Sequence, residues 1–291
     1  MTLPVRIFRQ GFSGRVFPFQ PADIKNYTNL KGGIGCFKKI PGKMFGRRRG
    51  GTDRQEVAVM ASLDPVTLFV EKLAGFRVPA PFRNKLRNPY SDPRRRENLR
   101  LYLTLMRHRR PRVLLVGRDP GHRGCALTGI PFTSEAIAAR GTLSSGERLA
   151  CSGTVVGPGA GYLIPSDRPP VSEVSASIVW EGIHRYFQDP PLLWNALPFH
   201  PHRPGNPRSN RLPALVAETL AFGLPYLMDL FDLFPSVDTV LAVGGRTGEV
   251  FRRLEKENRL RQTVYYLRHP SYGGKCNFFE QLQRLKREGR I

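Results

Sequence analysis

Short apolar runs alternate with helical periodicity through most of the chain. Behind Ser62-Leu63-Asp64-Pro65, the apolar residues Val66, Phe69, Val70 and Leu73 recur at i, i+3, i+4 and i+7, predicting one buried helical face. Leu99, Tyr102, Leu103 and Met106 repeat that spacing in a second helix. Val113 to Val116 is short and wholly apolar, as a strand buried on both faces would be. Residues 119–172 are rich in Gly, Pro, Ser and Thr and predict a long irregular segment, usually functional in a compact domain. A helix follows from about Ser172, with Val179, Ile183 and Tyr186 on one face. A second strand, Leu192-Leu193-Trp194, ends at Asn195, and Pro213 opens a helix that Gly223 ends. The third strand is Thr239 to Val243, turning at Gly244-Gly245 into a helix carrying Val250, Phe251 and Leu254. Val264 to Leu267 is the fourth, and a last helix starts near Asn277 with Phe278, Leu282 and Leu285 inward. The alternation predicts a three-layer α/β/α sandwich with a short, mainly four-stranded parallel sheet.

Composition separates the ends of the chain. Residues 1–59 hold 12 Lys and Arg against three acids, with nine glycines, four prolines and no sustained period. Such a segment buries too little apolar surface to offset its ordering entropy. It reads as a basic, disordered extension, or as spurious upstream translation ahead of a start at Met60, with one domain over residues 60–291. The whole chain has 291 residues and carries 46 Lys and Arg against 23 acids, a net charge of +23 that favours a polyanion such as DNA. No 18-residue apolar run occurs, and Pro225, Asp229 and Asp232 break the most apolar stretch, so a membrane partner is not expected. With no secretory core visible, the expected setting is cytoplasmic, bacterial-type and nucleoid-associated, and the expected state a monomer. Cys36, Cys125, Cys151 and Cys276 form no Cys-x-x-Cys pair, which signals neither a zinc site nor a redox pair.

Two loops carry candidate chemistry. Gly117-Arg118-Asp119-Pro120-Gly121-His122 follows the first strand and His269-Pro270-Ser271-Tyr272-Gly273-Gly274-Lys275 the fourth, so each puts a polar group where open α/β sheets gather ligands. Asp119 is either a turn former in Asp-Pro-Gly or a group that orients water and stabilises a developing cation. His269 either bonds a neighbouring carbonyl or, as a neutral imidazole, donates to an oxygen that becomes anionic as a bond breaks. Ser271, the Gly273 and Gly274 amides and Lys275 could hold a phosphate. The Asn195 amide offers donor and acceptor side by side, which suits a nucleobase edge. Phe132 is a core aromatic or a stacking platform. His200 and His202 suggest a metal only weakly, being interrupted by prolines, whereas Arg203, Arg208 and Arg211 suit phosphates.

Taken together, these residues resemble the uracil-DNA glycosylase superfamily over roughly Met60 to Ile291. Gly117-Arg118-Asp119-Pro120-Gly121-His122 fits a first motif of the form G-x-D-P-x-H, and His269-Pro270-Ser271 opens like the second. Asn195 ends an intervening strand, and Phe132 stands 13 residues past Asp119. The resemblance implies base flipping, with Phe132 stacking on the base and Asn195 reading its O4 and N3–H edge. It further implies that His269 donates to O2, that Asp119 positions water beside an oxocarbenium-like sugar, and that no metal or organic cofactor is needed. In the best-known branch a tyrosine replaces Gly121 and screens out the thymine methyl, so glycine here implies an open wall and a broader range of bases. A leucine wedge usually follows the second motif. Gly273 stands nearest that place, leaving Tyr272 or Lys275 to fill the vacated stack. The alternatives are a non-catalytic binder of uracil-containing or abasic DNA and an enzyme acting on free nucleotides. The first is disfavoured by Asp119 and the second by the lack of a Gly-x-x-x-x-Gly-Lys-Ser/Thr loop.

Overall fold

The structure, a computed structural model, describes residues 64–149, 155–210, 218–271 and 273–291. Helix α1 (Pro65–Ala74) opens on Asp64, whose carboxylate accepts from Val66 N at 2.9 Å and Thr67 N at 3.3 Å, while Pro65 occupies a first-turn position that needs no N–H. After the two-residue strand β1 (Leu86–Arg87), Asp92 and Pro93 repeat that device for α2 (Pro93–Arg109). The main strands are β2 (Val113–Gly117), β3 (Leu192–Asn195), β5 (Thr239–Val243) and β6 (Thr263–Leu267). They form one parallel sheet in the order β3-β2-β5-β6, as the apolar runs require.

Helices flank this sheet. In chain order after α2 come α3 (Cys125–Thr128), α4 (Glu135–Arg140), α5 (Val174–Tyr186), α6 (Leu224–Leu233), α7 (Gly245–Lys256) and α8 (Lys275–Arg287). Helix α1 packs with α2 and α6, and α5 packs with α8. The three-layer α/β/α expectation therefore holds. Leu114, Leu115, Val116, Leu193, Trp194, Leu241 and Val243 are fully buried between the helix layers. At the open edge of β3, Leu193 N donates to the buried Tyr102 hydroxyl at 2.7 Å, so α2 covers a strand edge that would otherwise be unpaired.

Some local expectations are corrected. The segment after Asp119 is more structured than its composition suggests, since it contains α3 and α4. The buried Glu135 carboxylate closes it, accepting from both Arg168 nitrogens at 2.7 Å and from Val171 N at 3.0 Å. Gly223 closes a single 3-10 turn, Leu220–Phe222, and at once caps the start of α6, whose first turn accommodates Pro225. The helix expected from Pro213 falls largely on 211–217, outside the described residues. Helix α8 starts at Lys275, slightly before Asn277. A second sheet pairs β1 with β4 (His200–Pro201), elements too short to show periodicity. Among the described residues no helix is long and apolar enough to cross a membrane.

The strand order positions a site. The chain leaves β2 toward β3 on one side and leaves β5 toward β6 on the other. Loops departing in opposite directions open a crevice at the carboxyl ends of β2 and β5, the usual ligand position in such sheets.

Candidate active site

The loop after β2 is built onto β3. Gly117 pairs in register with Asn195, and the pairing continues through Ala196 N to Gly117 O at 2.8 Å and Leu197 N to Arg118 O at 2.9 Å. Asn195 is thereby fixed beside the start of the Asp119 loop, with only 3% of its surface exposed. Its Nδ2 donates to Cys125 Sγ at 3.6 Å, and burial pushes that thiol up to about 12, so it stays neutral. The Phe132 ring lies over Gly117: a Cβ there would stand 2.4 Å from Phe132 Cζ and 3.0 Å from Asn195 Oδ1. Only glycine leaves that space. Phe132 itself has φ 53°, costly for an aromatic residue, and Thr128 Oγ1 holds the turn by accepting from Ile130 N at 3.0 Å and donating to Thr133 O at 2.8 Å.

Asp119 is nearly enclosed, its side chain 7% exposed and ion-paired with Arg118 Nε. Burial pushes its carboxyl above the usual range, and the Arg118 guanidinium opposes that shift. From the other loop, His269 is lowered to about 4 by burial, then by Arg118 and Arg268. Arg118 thus acts on both candidate groups, which stand at the carboxyl ends of β2 and β6 with β5 between them. Ser271 N donates to His269 Nδ1 at 3.2 Å. In the neutral ring, Nδ1 is then the acceptor and Nε2 carries the hydrogen. The turn at Gly244 makes room for this ring, with His269 Cβ 3.4 Å from where a Cβ at Gly244 would stand.

The open wall expected at Gly121 is not there. The Glu173 carboxyl covers it: a Cβ on Gly121 would lie 2.0 Å from Glu173 Oε1, and one on Gly124 2.0 Å from Oε2. Burial first, then Asp119, raise Glu173 to about 7, with Arg123 opposing. Sequence reasoning missed both Glu173 and Arg118. Glu173 is far along the chain at the mouth of α5, and no local pattern joins it to Gly121.

The phosphate-binding expectations fare unevenly. Ser271 is half-buried with its amide given to His269, and Gly273 is exposed. The Gly274 amide is spent on Ser271 O at 3.2 Å, and Lys275 ion-pairs with Glu181 at 2.8 Å. Both are thereby drawn toward the fold's own needs. Tyr272, Arg211, Cys36 and Cys151 lie outside the described residues, as does the basic segment 1–59. Arg203 and Arg208 are exposed on a loop whose Asn210 Oδ1 accepts from His122 N at 3.1 Å, tying it to the Asp119 loop. His200 faces Pro120 O at 2.7 Å and Pro207 O at 3.2 Å, and His202 faces Arg203 O at 2.9 Å. These histidines hold loops together. Among the described residues no group of three or more His, Cys, Asp or Glu side chains could hold a metal.

No protein-family model and no curated protein matches the chain. Among solved structures, wild-type SMUG2 from Pedobacter heparinus matches with a TM-score of 0.53 and 17% identity, over 78% of this chain and 98% of that one. The chain has the uracil-DNA glycosylase fold. Wild-type UNG from Nitratifractor salsuginis overlaps more loosely, with a TM-score of 0.37 and 14% identity over 82% and 98% of the two chains. Asp119, Asn195 and His269 end or follow strands at the carboxyl edge of this parallel sheet.

Proposed function

We propose that the protein is a DNA glycosylase that flips a deaminated base, uracil foremost, out of DNA and hydrolyses its N-glycosidic bond without a metal or organic cofactor. The observation that carries this reading is an enclosed carboxyl group after β2 and a neutral imidazole after β6, at the same edge of one parallel sheet and both next to Arg118. Bond cleavage leaves negative charge on the departing uracil, chiefly on O2 and N1, and positive charge on the sugar. A neutral Nε2–H donor aimed at O2 strengthens its bond as that charge develops, which lowers the barrier more than it aids ground-state binding. Asp119, ion-paired with Arg118, serves the opposite charge: as a carboxylate it stabilises the cationic sugar and orients the water that attacks C1′. Asn195 holds the O4 and N3–H edge and Phe132 supplies the stacking face. The basic surface, including Arg203 and Arg208, meets the DNA backbone, and its affinity is accordingly salt-dependent.

The test is a uracil-containing oligonucleotide incubated with the protein in EDTA, then cleaved at abasic sites with alkali. Strand scission is the expected result. Tight binding without scission would instead favour a non-catalytic DNA binder, and activity lost to chelator and restored by zinc or iron would overturn the cofactor-free mechanism.

A further inference from the structure

At the opposite end of the same strands, away from Asp119 and His269, a second concentration of charge is exposed. Residues 107–112, from the last turn of α2 to the start of β2, include Arg107, Arg109, Arg110 and Arg112 and no acid, and Arg259 and Arg261 lead into β6. All six arginines are exposed. The sheet gathers them: Asp238 N and Thr239 N donate to Arg112 O at 3.0 and 3.2 Å, and Thr263 N donates to Asp238 O at 2.9 Å. The entries to β2, β5 and β6 therefore lie side by side, with the backbones of Arg112 and Gln262 roughly 10 Å apart across β5. Asp238 pairs with Arg112 at 2.8 Å and Glu257 with Arg259 at 3.4 Å. Arg107, Arg110 and Arg261 have no ion pair among the described residues.

Helix polarity explains only part of this charge. Cations in the last turn of α2 complement its carbonyl end, which accounts for Arg107 and Arg109. It does not account for Arg110 and Arg112, past that helix, or for Arg259 and Arg261 on another loop. Arg110 is the least expected of them. It closes α2 at φ 50° and ψ 57°, a left-handed position that glycine or asparagine usually takes, as Asn258 does after α7 at φ 52°. An arginine there accepts a strained backbone, and its side chain pairs with nothing in the fold. The exposed large apolar side chains among the described residues are Leu163 and Val174, and neither belongs to these segments. A protein partner is usually gripped by apolar or aromatic anchors, whereas guanidinium groups without them suit a phosphate backbone. The length of the strands puts this edge roughly 16 Å from the catalytic one, facing the other way. Duplex DNA, with a persistence length of about 50 nm, does not turn from one edge to the other. We infer that the amino edge of the sheet is a second duplex-binding face, which takes the phosphate backbone of a DNA segment other than the one in the crevice, so that one molecule bridges two duplexes. The inference draws on the glycosylase reading only for the duplex in the crevice, not for base release.

The test uses the full chain and two measurements: affinity for one short uracil-containing duplex, and capture of a free labelled duplex by protein already bound to a bead-tethered one. Wild type, Arg110→Gly and the triple variant Arg107→Ala, Arg110→Gly, Arg261→Ala are compared, each checked by thermal melting. Wild type should capture the second duplex. The triple variant should capture it about tenfold less at low salt, with a log–log salt slope shallower by about 2.7 for three lost phosphate contacts, while single-duplex affinity changes less than about twofold. Arg110→Gly should melt no lower than wild type yet capture less, which separates binding from folding. No capture by wild type, undiminished capture by the triple variant, or an equal loss in both measurements overturns the assignment. Preferential capture of labelled polyglutamate over the second duplex would make the partner an acidic protein and overturns it as well. Wild type that bridges duplexes yet releases no base sinks the glycosylase reading and leaves this one standing.

Discussion

His269 shows how a single residue is prepared by its surroundings. Burial and two arginines keep it neutral down to about pH 4, and the Ser271 amide selects the tautomer with hydrogen on Nε2. A neutral donor is useful because it places no fixed positive charge beside Arg118 before the base leaves. His269→Ala should therefore lower the single-turnover rate by about 10²–10⁴ while DNA affinity changes little. Gel-shift and rapid-quench measurements on the same oligonucleotide separate the two, and a wild-type rate in the variant would place the donor elsewhere. The residue scale is also where the sequence is most and least informative about position. Asp119, Asn195 and His269 were legible because each ends or follows an apolar strand, a position readable from periodicity. Glu173 was not, because its link to Gly121 is made through space by the return of α5. Gly121 alone was read as an empty place, though its lack of a side chain accommodates a distant carboxyl.

At the scale of elements, buried amides fasten irregular chain to regular chain. Asn98 on α2 donates to Thr128 O at 2.9 Å and Leu163 O at 3.2 Å, and accepts from Leu163 N at 2.7 Å. It thus ties both ends of the segment that presents Phe132 to one helix. Asn88 similarly donates to Leu73 O at 2.8 Å and Ala74 O at 3.2 Å, closing the end of α1. Asn98→Ala should cost about 2–3 kcal/mol in urea denaturation, since it strands buried backbone groups that water cannot reach. A cost below about 0.5 kcal/mol would mean the segment is held by other contacts. The strands and the helices with clear periodicity were predictable because burial of an apolar face imposes a period. The two-residue strands β1 and β4 and the short helices α3 and α4 were not, because they depend on such amide and carboxylate fastenings more than on hydrophobic spacing.

For the whole molecule, titration of enclosed groups makes stability depend on pH in opposing ways. Glu173 is raised in the folded state from 4.5 to about 7, so its contribution is fully present below about pH 4.5 and is lost as pH rises through 7. His200 is lowered from 6.5 to about 4, chiefly by burial, so its contribution is present above 6.5 and is lost as pH falls toward 4. Glu173→Gln removes the first dependence only. The variant should gain stability relative to wild type between pH 5 and pH 8 in urea denaturation, and a difference that stays constant over that range would show that Glu173 does not titrate there.

The central claim is that the enclosed carboxylate and the neutral imidazole together break a glycosidic bond. Its most direct measurement is mass-spectrometric detection of free base from a uracil-containing duplex in EDTA, for wild type and Asp119→Asn at equal DNA occupancy. The account predicts free uracil from wild type and a rate lower by about 10²–10⁴ from the variant. Equal release from both proteins, or none from wild type, would contradict it.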